Sequence, residues 1–134
     1  MFKLVFASAV IIGFYHPAWA AQPPKSFLGV WAATSEKLCR KTEWKEHQRD
    51  DLLSVDARSA NYYETTCDFA SIKLLGDSTA EVAMSCAGEG ETWKTREIWN
   101  VQKVGPQRLL TMVSLSRSDV KNHKASVSIY IECQ

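Results

Sequence analysis

The 134-residue chain has little of what active sites and metal centres are usually built from. It has three histidines, and one of them, His16, lies within the first twenty residues. There is no Cys-x-x-Cys pair, which excludes the usual zinc and thioredoxin-type patterns. No Gly-x-Ser-x-Gly elbow presents a serine nucleophile, and no glycine-rich loop could cradle a phosphate. Internal repeats, low-complexity tracts and strand–helix alternation are all missing. Neither sign of charge dominates, with 16 basic against 15 acidic residues, so nothing favours nucleic acid as a partner. The residues point to a non-enzyme: no catalytic residue, no metal ligand and no cofactor is assigned.

What is present starts with an export signal. Lys3 precedes an apolar run over residues 4–15, Pro17 breaks it, and Ala18-Trp19-Ala20 has the small-x-small form that signal peptidase cleaves. The run is shorter than the roughly 20 residues a membrane span needs, and no later stretch is long or apolar enough. No cysteine lies near the cleavage point to carry a lipid anchor. The pattern predicts a signal peptide over 1–20 and a periplasmic or secreted product without a stable membrane anchor. Lys3 is the only charge removed, leaving 114 residues with 15 basic and 15 acidic side chains, enough for one domain.

In an oxidising compartment Cys39, Cys67, Cys86 and Cys133 are expected to form two disulfides. Four cysteines allow three pairings. In 79–86, Ala80, Val82, Met84 and Cys86 share one face. In 126–133, Val127, Ile129, Ile131 and Cys133 do the same. Reading both rows as core-facing predicts a Cys86–Cys133 bridge and leaves Cys39–Cys67.

The rest of the chain has the rhythm of sheet. Two prolines predict an extended tail over 21–26, and 27–34 is the first strand. Residues 36–50 form a charged excursion, short helix or irregular, that holds Trp44 and His47. A strand at 52–57 leads into a polar turn at 58–61. Strands are expected at 67–75, 79–86, 92–101, 108–115 and 126–133, with turn signals between them. The fold class is therefore all-β, a small antiparallel up-and-down barrel of seven to eight strands over 27–134. In so small a barrel the interior is expected to be filled by side chains. Trp31, Trp93 and Trp99 read as core or barrel-end packing. Trp44 reads as a barrel-end cap or an exposed anchor for a partner. Glu43, His47 and Asp51 could share a helix face, but without a second histidine or a cysteine they read as a solvated face. His123, among lysines, reads as a surface loop residue.

The Gly29-x-Trp31 pattern resembles the opening strand of the lipocalin-like (calycin) barrels. There the tryptophan closes one end, the glycine permits close packing, and an arginine from the last strand covers the ring. Residues 127–133 contain no arginine. The Pro-containing tail, Leu28-Gly29-x-Trp31 and the cysteines at 39 and 67 also resemble the bacterial metalloprotease inhibitors, small periplasmic barrels whose N-terminal segment enters a protease cleft. That resemblance implies a protein partner in the envelope or outside the cell, with the tail 21–26, and in it Pro23, Pro24, Lys25 and Ser26, as the binding segment; Trp44 joins the candidate binding residues only through its own reading as an exposed anchor. A carrier of a small apolar ligand is the alternative the calycin likeness implies, and an envelope assembly role is a third.

Overall fold

The computed structural model describes residues 22–33, 39 and 51–134. Trp44, His47 and the excursion near 36–50, apart from Cys39, lie outside the described residues. A short 3-10 turn at Lys25–Phe27 precedes eight strands: β1 (Gly29–Ala32), β2 (Leu52–Val55), β3 (Ser59–Tyr62), β4 (Thr65–Gly76), β5 (Thr79–Gly88), β6 (Glu91–Val104), β7 (Gln107–Arg117) and β8 (Ser126–Glu132). Every strand is antiparallel to its neighbours in sequence, and β8 returns to β1, so the sheet is a closed up-and-down barrel.

The strand missing from the sequence reading is β3. Residues 58–61 read as a turn because they are polar, but the turn lies earlier, around Asp56. Its carboxylate accepts hydrogen bonds from the backbone N–H of Arg58 (2.7 Å) and of Ser59 (2.9 Å). Those bonds hold its pKa below the ordinary value, that from Arg58 contributing most. With the corner held by one side chain, pairing resumes at once, and Val55 lies opposite Ala60.

Alternation sorts the side chains in and out. Ala80, Val82, Met84 and Cys86 of β5 are all buried, as their phase predicts. β8 has the opposite phase from that expected. Val127 and Ile129 are 62% and 52% exposed, while Ser128 and Tyr130 line the interior. Period two identifies two faces of a strand but does not say which one meets the core, and here the more apolar row lies outside.

This phase changes the disulfides. The bridges are Cys39–Cys133 and Cys67–Cys86, not Cys39–Cys67 and Cys86–Cys133. β5 and β8 are not neighbours in the barrel. Cys67 on β4 instead stands directly opposite Cys86 on β5, with Cα atoms 3.9 Å apart. Cys39–Cys133 ties the segment after β1 to the end of β8, at the seam where those strands share only two paired positions, Trp31 with Glu132 and Ala32 with Ile131.

One end of the barrel is packed solid. Phe27 and Phe69 set their edges against Trp99, with centroids 5.9 Å and 5.8 Å apart. Trp31 is fully buried, and its Nε1 donates to the Phe27 carbonyl at 3.0 Å. Gly29 serves the backbone here: its φ is +133°, a region L side chains rarely adopt, while a Cβ would meet nothing within 4 Å. Close packing is therefore not what calls for glycine at this position. The guanidinium of Arg108, on β7 and not on the last strand, lies 5.6 Å over the Trp31 ring. It also donates to the Ser26 carbonyl and to Glu132 Oε1, each at 2.5 Å.

Candidate functional site: a polar cup at the open end

The expected binding tail is folded onto the closed end. Pro23 is buried, Pro24 and Ser26 are half-buried, and Lys25 is exposed. Residues Lys25–Phe27 form a turn where extended chain was expected. Phe27 is wholly buried, and Arg108 grips the Ser26 carbonyl.

Among the described residues the opposite end is open. The interior is filled only part of the way along, contrary to the expectation from size, and above the core lies a cavity of about 340 Å³. Its floor and walls follow from the inward rows. On β6 the row climbs from Trp99 in the core through Glu97 and Thr95 to Trp93 at the rim. On β7 it runs through Met112 and Ser114 to Arg117. Ser114 and Arg117 are three apart and would face opposite ways in a regular strand. A β-bulge opposite Arg96 and Glu97 inserts Leu115 without a partner, so Ser114 pairs with Glu97 and Arg117 with Thr95. Bulges re-aim side chains in this way. Tyr62 on β3, Tyr130 on β8 and the Cys67–Cys86 bridge complete the wall.

Glu97 is the one acid among the described lining residues. Its Oε2 accepts from Trp99 Nε1 at 2.6 Å and its Oε1 from Thr95 Oγ1 at 3.3 Å. Burial raises its pKa despite those two bonds and the positive charge of Arg117. Burial also raises the Tyr62 phenol well above its ordinary value and raises that of Tyr130, and the Glu97 charge adds to both. Both phenols therefore stay protonated and stand close enough to the carboxylate to feel it. At the rim Arg117 stacks on Trp93, 4.9 Å from the ring centroid, and is held by Asp119 through bonds of 3.0 Å and 2.6 Å. His123 shares a 3.0 Å hydrogen bond with Ser114 Oγ and lines the cup.

The sequence reading named none of these residues as a site. His123 reads as a surface residue until the β7–β8 connection folds back over the opening. A signal for Glu97 does exist, since it is the one charge between Trp93 and Val101 on a row that otherwise carries Trp93, Thr95, Trp99 and Val101 there. No group of three or more potential metal ligands occurs among the described residues. Comparison of the chain with protein-family models, curated proteins and solved structures found no match.

Proposed function

We propose that this chain is an exported barrel that binds a small molecule in its open end. The observation that carries the reading is the cup itself, a one-ended cavity of about 340 Å³ with a half-buried carboxyl on its floor. Small-ligand sites commonly have about 300–1,000 Å³ and a few convergent polar groups, and an eight-stranded barrel is wide enough for one small ligand. Two disulfides put the chain in an oxidising, extracytoplasmic setting, and the signal-like first twenty residues agree with export. Arg108 over Trp31 supports the likeness to calycins, although the arginine comes from β7. The mixed lining of the cup favours a polar or amphipathic ligand over the purely apolar one that likeness implies. An inhibitor acting through residues 21–26 is less well supported, because the anchored tail has little freedom to enter a cleft.

The test is an amide-resolved NMR titration of the disulfide-intact protein with a panel of small cationic, neutral and anionic aromatics. Shifts concentrated at Tyr62, Glu97, Ser114, His123 and Tyr130 are expected. Shifts confined to the outer faces, or none with any compound, would overturn the reading.

A further inference from the structure

The cup also carries information about what it selects. Glu97 brings a negative charge to the floor of a cavity walled on its inner side by Met112, a disulfide and two tyrosines. An ionised carboxylate has about four lone-pair positions, and Trp99 and Thr95 occupy two of them. The one Lys or Arg among the described lining residues, Arg117, is already matched by Asp119 and stacked on Trp93. Among the described residues no cation is bonded to this half-buried carboxylate, and a charge taken partly out of water is costly unless it is paired. The two phenols can accept hydrogen bonds beside it. Carboxylate and two phenol oxygens together offer three acceptors, the number of N–H donors on a primary ammonium. The indole of Trp93 at the rim gives a flat surface for the remainder of such a molecule.

We propose that the cup selects a small organic cation, a primary amine with an apolar or aromatic body, whose ammonium sits on Glu97 between Tyr62 and Tyr130. This inference rests on the reading of the cup as a small-molecule site. The charged and titratable groups facing Glu97 are Tyr62 from β3, Arg117 from β7, His123 from the β7–β8 connection and Tyr130 from β8. Acidification protonates Glu97 and removes the negative charge, so amine affinity falls as the pH drops.

Calorimetry on the disulfide-intact protein with three probes of one shape tests this: 2-phenylethylamine, 2-phenylethanol and 3-phenylpropionate. The amine is expected to bind at least about tenfold more tightly than the other two, a difference of about 1.4 kcal/mol. Glu97→Gln should erase that preference, bringing the amine to within about threefold of the alcohol. Should that variant not fold, the wild-type pH profile serves instead: amine affinity should drop between neutral and acidic pH while alcohol affinity stays level. If alcohol or acid binds as well as amine, the cation preference is wrong and the cup remains a binding site. If none of the three binds, the inference is overturned, and silence across the wider NMR panel overturns the small-molecule reading as well.

Discussion

Replacing Phe27 by alanine tests whether the N-terminal segment is a plug or a tail. The side chain is fully buried and packs its ring edge-on to Trp99 at 5.9 Å. Truncating a buried phenylalanine costs about 3–5 kcal/mol, lost transfer energy and residual cavity together. The low end applies, because a segment that lies outside the barrel strands in a single 3-10 turn can settle into part of the space. A loss of about 3 kcal/mol, with a urea slope of about 1.5 kcal/mol per molar, lowers the unfolding midpoint by about 2 M. The assay is equilibrium urea unfolding under non-oxidising, non-reducing conditions, followed by tryptophan fluorescence and circular dichroism. The slope should stay unchanged, since the same barrel unfolds. Phe27→Leu should recover part of the loss by restoring most of the volume. A change below about 0.5 kcal/mol, the range of ordinary surface substitutions, would refute the reasoning. The closed end would then hold without this residue, and residues 21–26 would again be free to act as a tail.

Two further outcomes follow from the bridges and from Glu97. A non-reducing peptide map should yield Cys39 with Cys133 and Cys67 with Cys86, and by loop-closure entropy the 94-residue span should contribute about 4–5 kcal/mol against about 3 kcal/mol for the 19-residue one. Urea midpoints of the two paired Cys→Ala variants measure this, and equal losses would contradict the entropic argument. Glu97 has a folded-state pKa raised above its ordinary 4.5, chiefly by burial. The stability linked to it is therefore complete below about pH 4.5 and is lost as pH rises through the higher folded value. Glu97→Gln should accordingly gain stability relative to wild type between pH 4 and pH 8, and a constant difference across that range would contradict the buried-carboxyl reading.

Much of the architecture is written in local pattern. Alternation and turn signals mark seven of the eight strands, and the even cysteine count with a signal-like start implies the two bridges. Pairing a strand with its neighbours needs only short connections, so an up-and-down order follows from the spacing of turns at 76–78, 88–90 and 105–106. Gly29-x-Trp31 likewise marks the closed end, although the glycine is required for its dihedral angle and the covering arginine comes from Arg108.

Tertiary structure decided what the local pattern left degenerate. A period of two is symmetric between faces, so only barrel closure could turn Ser128 and Tyr130 inward and leave Val127 and Ile129 outside. Disulfide partners depend on which strands are neighbours and in what register, which placed Cys67 opposite Cys86. The bulge in β7 breaks alternation by one residue and brings Ser114 and Arg117 into the same cup. Glu97, Tyr62, Tyr130 and His123 lie on separate strands or in a loop, so their meeting is a property of the closed sheet. By itself the sequence determined an all-β, two-disulfide domain with a tryptophan-sealed end. The open end, and the carboxyl on its floor, arise only when β8 meets β1, because long-range pairing sets which side chains share an interior.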